Sequence, residues 1–399
     1  MADAGSGRIV PFDVARRAND KKYSGSGGKL FNGHKVTGHK SQVVFYTCDC
    51  VTGDPIIILI CIGESLRMRI LVVGLGSIGR RHIKNLKQID KNFEVGLLRQ
   101  KSRDKNLSDL KNSVDQIFLT SKEALRWQPK VVLIANPATF HIPTALQFAK
   151  NECDLFIEKP LSHDIKNVDK LLKICESRQR ILMVGYVLRF SKSFQLIKKI
   201  LDQKKLGKIL SIHVSVGKYL PDWRPRSDYR QNVSARWELG GGVVNELSHE
   251  LDYARWFVGE VKEVFASMGK VSDLETNVED LAEINLRFTN GALGHVHLDM
   301  LDRAGHRSCR IIGTDGSLIW DAYPSHRIRF FSSKTNQWKD LFDSQLPDYN
   351  QMFEEELKYF FHCVRQRKNP SVNGAQGRRI VEIILAIKRS AKTKRAVLL

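Results

Sequence analysis

The side chains best suited to moving a proton are Lys159 and His249. Lys159 lies in Glu158-Lys159-Pro160, directly after the apolar run that starts at Leu155. His249 lies in Gly240-Gly-Gly-Val-Val-Asn245-Glu246-Leu-Ser-His249-Glu-Leu-Asp252. An imidazole titrates near neutrality and can remove a proton from a hydroxyl group. A fixed ammonium ion beside the developing alkoxide lowers its energy. Glu246 and Asp252 stand three residues either side of His249, so a continuous helix would put both on its face and let one orient the ring. The plainer readings are a surface lysine in a turn and a satisfied core histidine.

A second cluster suits phosphate. Gly74-Leu75-Gly76-Ser77-Ile78-Gly79 follows the β-branched run Arg69 to Val73 and opens a helical stretch to about Leu86. Gly74 permits a tight turn, Gly76 lets backbone approach a pyrophosphate, and Gly79 allows close helix–strand packing. The free N–H groups at the helix start complete an anion cradle. The next strand, Phe93 to Leu98, runs into Arg99-Gln100-Lys101-Ser102-Arg103, with no carboxylate before Asp104. A carboxylate there would accept the ribose hydroxyls of NAD. Arg99 with Ser102 suits the 2′-phosphate of NADP, so NADP is expected to be preferred over NAD.

These residues need a scaffold. Strands Val131 to Ala135, Leu155 to Glu158 and Ile181 to Gly185 alternate with helices such as Ile142 to Lys150 and Ile165 to Cys175. The alternation predicts a doubly wound parallel sheet, an α/β Rossmann domain, over residues 68–190. Residues 191–399 predict an α+β domain for substrate binding and oligomerisation, with a largely antiparallel open sheet. Its strands are Ile209 to Val216, Val261 to Met268, Leu281 to Phe288, Ala292 to Met300, Cys309 to Gly313 and Leu318 to Asp321. A helix from about Asn245 to Phe257 lies among them, two more (Gln351 to Arg365, Gly377 to Ala391) close the chain, and Asn290-Gly291 predicts a type I′ hairpin turn. Residues 1–67, with linker-like Ser24-Gly-Ser-Gly-Gly28, read as a flexible extension or a start placed too far upstream.

Composition narrows the function classes. Hydrophobic residues at 42% and charged ones at 27% are a globular mixture. No apolar run approaches the roughly 20 residues of a membrane span, so no membrane partner and a cytoplasmic location are expected. The formal charge of +21 is spread along the chain without a nucleic-acid-binding motif. It reads as a basic surface that attracts anionic ligands rather than nucleic acid. The seven cysteines read as reduced core thiols. Cys48-Asp-Cys50 lacks a second pair at zinc spacing, so no metal is expected.

Four motifs, in order, resemble the glucose-fructose oxidoreductase / inositol dehydrogenase (Gfo/Idh/MocA) family. They are Gly74 to His82, Ala135-Asn136-Pro137-Ala-Thr-Phe-His141, Glu158-Lys159-Pro160 and Gly240 to Asp252. The resemblance covers residues 68 to 399. It implies that Lys159 and His249 are catalytic and that Lys159-Pro160 is cis. It also implies cofactor contacts from Gly74, Gly76, Ser77, Ile78, Gly79, Arg99, Asn136, Pro137, His141, Glu158 and Lys159. Substrate contacts are expected from Arg189, Tyr219, Trp223, Arg236, Asn245 and Glu246, the aromatic stretch from Tyr219 resembling the branch associated with nonulosonic (sialic-type) sugars. The family pattern has a carboxylate where this chain has Asn245. The expected function is NAD(P)-dependent hydride transfer to or from a secondary hydroxyl or ketone of a sugar, cyclitol or sugar nucleotide, by a homo-oligomer (dimer or tetramer). The alternative is a non-catalytic regulator of the same fold that senses a dinucleotide.

Overall fold

The computed structural model describes residues 67–99, 107–322, 326–344 and 349–399, and the backbone of strands within 32–62. The chain divides into two compact units, Met1–Arg67 and Met68–Leu399. In the first, β1 (Asn32–Gly38), β2 (Ser41–Cys48) and β3 (Ile56–Ile62) form an antiparallel sheet, with Val36 opposite Val43 and Val43 opposite Cys61. The β-branched and aromatic runs Val43 to Tyr46 and Ile56 to Ile62 favour such pairing. Cys50, with the Cys48–Cys50 spacing, lies outside the described residues.

The second unit begins with a six-stranded parallel sheet. Its elements are β4 (Arg69–Val73), α1 (Ser77–Ile89), β5 (Glu94–Leu98), β6 (Gln116–Phe118), α2 (Ser121–Arg126), β7 (Val131–Ile134), α3 (His141–Ala149), β8 (Asp154–Glu158), α4 (Val168–Ser177) and β9 (Leu182–Gly185). The strand order β6-β5-β4-β7-β8-β9 is doubly wound about β4. Alternation along β4 explains the layers: Ile70 and Val72 join one buried cluster, Leu71 and Val73 the other.

The chain continues through α5 (Lys192–Asp202), β10 (Ile209–Gly217), α6 (Val243–Glu246), α7 (His249–Val258), β11 (Val261–Gly269), β12 (Leu281–Phe288), β13 (Leu293–Asp299) and β14 (His306–Gly313). Then come β15 (Gly316–Asp321), β16 (His326–Ser332), β17 (Gln337–Ser344), α8 (Tyr349–Gln366), α9 (Gly374–Thr393) and β18 (Val397–Leu398). The nine-stranded sheet has the order β17-β16-β15-β14-β10-β13-β12-β11-β18, and β10–β13 is its parallel pair. Helices α6, α7 and α9 pack on one face.

Three details depart from the sequence reading. Helix α8 lies late in the chain, yet Leu357, Phe360 and Phe361 pack with Ile70, Val72 and Leu86 on the Rossmann sheet. The β12–β13 turn has positive φ at Gly291 alone, and Gly291 N–H donates to the Phe288 carbonyl. That is a type I turn with a following left-handed glycine rather than type I′. The expected helix from Asn245 to Phe257 is broken into α6 and α7 at Leu247-Ser248. Among the described residues, no helix is long and apolar enough to cross a membrane.

Candidate active site

The glycine turn is built by exclusion. A Cβ on Gly79 would lie 2.2 Å from the Gly74 carbonyl oxygen, and one on Gly74, at φ +103°, would meet Ala135 backbone at 2.7 Å. Around Gly76, by contrast, an added Cβ would meet nothing within 4 Å. No side chain caps α1, and Ser77 beside Gly76 is exposed. This open, uncapped helix start fits a pyrophosphate: its N–H groups can donate to phosphate oxygens with none of the described residues in the way. Ile78 is partly exposed on the same turn. Arg99 continues from β5, its N–H bonded to the Phe118 carbonyl, whereas Lys101, Ser102 and Arg103 lie outside the described residues.

The ends of β7 and β8 supply the next layer. Asn136 donates from Nδ2 to Thr144 Oγ1 at 3.1 Å, and Pro137 begins the following turn. His141 is enclosed, with Nδ1 2.9 Å from the Pro160 carbonyl and Nε2 2.8 Å from the Asn136 carbonyl. Expected to contact the cofactor, His141 is instead a strut that ties this loop to Pro160. Glu158 meets His82 Nε2 at 2.6 Å, fastening α1 to the end of β8. The Lys159-Pro160 peptide is cis.

Lys159 Nζ donates to the backbone carbonyl of Glu246 at 2.5 Å. The helix break explains why that carbonyl is available: Glu250 N–H donates to Leu247 rather than to Glu246. His249 begins α7, in a partly exposed position. Its Nδ1 is buried without a partner among the described residues, and the Tyr186 ring stands edge-on to it at 5.6 Å. Burial, then the charges of Lys159 and Arg307, hold the His249 pKa well below the ordinary imidazole value. The ring is therefore neutral at pH 7, the form that accepts a proton.

The expected acidic partners of His249 are engaged elsewhere. Asp252 takes two hydrogen bonds from buried Arg189, at 2.7 and 2.6 Å, and Arg189 also lies over Trp256. Arg189, expected at the substrate, is thus committed to the packing of α7. Glu246 accepts from Ser234 Oγ through its carboxylate. Asn245 donates to the carbonyls of Gly240 and Gly241 and accepts from Lys388, so it braces the glycine loop rather than the imidazole. Tyr219 lies under Arg303, 3.9 Å from ring centroid to guanidinium carbon. Trp223 donates to the Lys218 carbonyl, and Arg236 is exposed beside Glu238.

Several groups near the site carried no sequence signal. Buried Glu250 accepts from Arg307, which lies far downstream on β14. Glu356 of α8 is enclosed, and among the described residues neither carboxylate oxygen has a partner. Burial, and then the charges of Glu158 and Asp252, raise its pKa well above the usual carboxylate range. Tyr186 could have been found from its place just past β9, at the ligand-binding edge of the sheet.

Residues 68–186 match "Oxidoreductase family, NAD-binding Rossmann fold", and residues 194–319 match "GFO/IDH/MocA C-terminal domain". A myo-inositol 2-dehydrogenase from Thermotoga maritima is 28% identical over 345 residues, covering 83% of this chain and 98% of that protein. The scyllo-inositol 2-dehydrogenase (NAD(+)) of Bacillus subtilis is 23% identical, covering 81% and 94%. Among solved structures, the WlbA dehydrogenase from Bordetella pertussis in complex with NADH and UDP-GlcNAcA superposes with a TM-score of 0.70. It is 23% identical and covers 84% of this chain and 99% of its own. With both domains of one family matched in order over residues 68–319, this chain belongs to the Gfo/Idh/MocA family of oxidoreductases with an NAD-binding Rossmann fold.

Proposed function

We propose that the chain transfers hydride between a nicotinamide dinucleotide and a secondary hydroxyl or ketone carbon of a sugar, cyclitol or sugar nucleotide, with His249 as proton acceptor and Lys159 as cationic partner. The observation that carries this is the placement of Lys159 just past the end of β8, with its Nζ held on the Glu246 carbonyl three residues before His249. Lys159 has three N–H donors; one is held by Glu246, which aims the others at a substrate oxygen. In the oxidising direction His249 takes the hydroxyl proton through Nε2, the carbon–oxygen bond becomes a carbonyl, and Lys159 stabilises the negative oxygen in between. The nicotinamide supplies the acceptor for the hydride leaving that carbon.

Cofactor contacts are assigned to Gly74, Gly76, Ser77, Ile78, Gly79, Asn136, Pro137 and Glu158, with Arg99 favouring NADP over NAD. Tyr219, Trp223 and Arg236 keep exposed surface and are assigned to the substrate. The class of substrate draws support from the inositol dehydrogenases and the UDP-GlcNAcA complex. A nonulosonic sugar draws support from an Escherichia coli 2,7-anhydro-N-acetylneuraminate hydratase, 24% identical over 63% of this chain. Cytoplasmic action as a dimer or tetramer belongs to the same reading. The test is nicotinamide absorbance with NADP or NAD and a panel of cyclitols, sugars and sugar nucleotides. Turnover of at least one panel member is expected. Tight cofactor binding with no turnover across the panel would favour the regulator.

A further inference from the structure

The face of the nine-stranded sheet turned away from α6, α7 and α9 carries a cluster of histidines and carboxylates that the proposed reaction does not use. Strand register assembles it. Glu283 of β12 lies opposite His297 of β13, which lies opposite Ser215 of β10. One step along the same face, Asp299 of β13 lies opposite Gly217, which lies opposite His306 of β14. Val214, Val216, Val296 and Leu298 point to the other side and are buried beneath the helices.

Both histidines are held in the same way. His297 Nδ1 is 2.6 Å from Glu283 Oε1, and His306 Nδ1 is 2.6 Å from Asp302 Oδ2. Each carboxylate accepts the Nδ1 proton, which leaves a lone pair on Nε2 of His306; Nε2 of His297 donates its own proton to Asp299 in the metal-free chain, and a metal would displace that proton. Those Nε2 atoms turn toward a common point: His297 Nε2 is 2.9 Å from Asp299 Oδ2, and His306 Nε2 is 2.5 Å from Ser215 Oγ. One ligand atom from each of His297, Asp299 and His306 lies within 4.8 Å of the others. Gly217 provides the room, since a Cβ there would sit 2.0 Å from Asp299 Oδ2 and 2.7 Å from His306 Cε1. Asp299 itself is only 4% exposed.

We propose that His297, Asp299 and His306 form a binding site for a divalent transition-metal ion of the Zn²⁺ type, with Glu283 and Asp302 orienting the two imidazoles. Two imidazole nitrogens and one carboxylate suit such ions, and a carboxylate on the far nitrogen of each histidine is how proteins fix metal-binding imidazoles. Metal–ligand lengths of about 2.0–2.2 Å require the donors to close by roughly 1 Å, within reach of ring rotation on partly exposed side chains. Solvent or Ser215 completes the shell. The cluster gathers the carboxylates of Glu283, Asp299 and Asp302 on a chain of formal charge +21, so a cation there also relieves local repulsion.

The ion would act as a staple. Asp299 and His306 bracket the β13–β14 connection, which packs on the segment after β10: Tyr219 N–H donates to the Asp302 carbonyl, and Leu220 N–H to the Met300 carbonyl. Arg303 of the same connection covers Tyr219. Metal binding would fix this connection and, through it, the loop that carries Tyr219.

The probe is Zn²⁺ alone, added to the full chain, with excess removed and bound metal counted by mass spectrometry. One ion per chain is expected, and chelation should lower the melting temperature. His306→Gln and His297→Gln should each lose that ion and the chelator effect while still binding NADH. Glu283→Gln should weaken metal binding about 10- to 100-fold, because it removes an orienting charge. Co²⁺ gives a second readout, visible absorption that the His variants should abolish. The inference is overturned if the parent chain retains no ion, or if His306→Gln and His297→Gln retain as much Zn²⁺ as the parent.

Discussion

Replacing the fingerprint glycines one at a time separates a cofactor role from a structural one. Gly76→Ala adds a methyl where the described residues offer nothing within 4 Å, at a backbone conformation (φ −75°, ψ −177°) open to any residue. The folded chain should tolerate it, losing at most about 1 kcal/mol from a poorer helix cap. For a unit of this size that is a fall of roughly 1–2 °C. A pyrophosphate resting on the same N–H groups would be pushed off by the methyl. Loss of one hydrogen bond to a charged group costs roughly 1.5–3 kcal/mol, or about 10- to 150-fold in affinity. Gly79→Ala does the opposite, because its Cβ would lie 2.2 Å from the Gly74 carbonyl oxygen, and backbone must move. Overpacking of this kind costs about 1–3 kcal/mol, so this variant should melt clearly lower. NADH fluorescence titration beside thermal melting reads both quantities. If Gly76→Ala binds NADH within about twofold of the parent, the pyrophosphate does not lie on this turn and the reasoning fails.

Other outcomes follow from the same geometry. Arg99→Asp should reverse a preference for NADP over NAD, since it replaces a cation with a carboxylate that repels the 2′-phosphate; equal cofactor affinities in the parent would contradict this. The depressed His249 pKa has a definite sign, with burial first and the Lys159 charge second among its causes. Kept neutral in the fold, His249 contributes stability that is full above the unfolded value of 6.5 and lost as pH falls below it. Oxidation rates should accordingly hold to below pH 6.5, and Lys159→Met should move the acid limb of its residual activity upward, as a pH–rate profile would show. Asn245→Asp restores the family's acid but loses two amide donors to the Gly240 and Gly241 carbonyls, a cost of about 1–3 kcal/mol only partly offset by Lys388. It should melt lower without turning over faster, and a faster variant would mean that the acid reaches His249.

The Rossmann half was legible because its signals are local. Ile70 to Val73, the three glycines and the Lys-Pro dipeptide each act within a few residues, and β-branched runs announce buried parallel strands. Contacts between distant segments were not legible. Nothing in Phe353 to Val364 says that α8 covers the first sheet. The break at Leu247-Ser248 hides behind an apolar periodicity that fits one long helix, so the face that would join Glu246 to His249 does not exist, while Asp252 shares α7 with His249 but is held by Arg189. Arg189 looked like a substrate ligand because its partner, Asp252, is far away in sequence. Zinc-finger spacing of cysteine and histidine pairs, the local sign of a metal site, is missing from the sequence. His297, Asp299 and His306 converge only through the register of β10, β13 and β14.

The central claim is that His249 exchanges the substrate proton, and turnover by His249→Ala tests it most directly. With a panel substrate and saturating cofactor, the variant should retain cofactor affinity and lose about 10²–10⁴ in rate, the usual contribution of a general base. His249→Ala turning over at the parental rate would place the base elsewhere and remove the role assigned to this site.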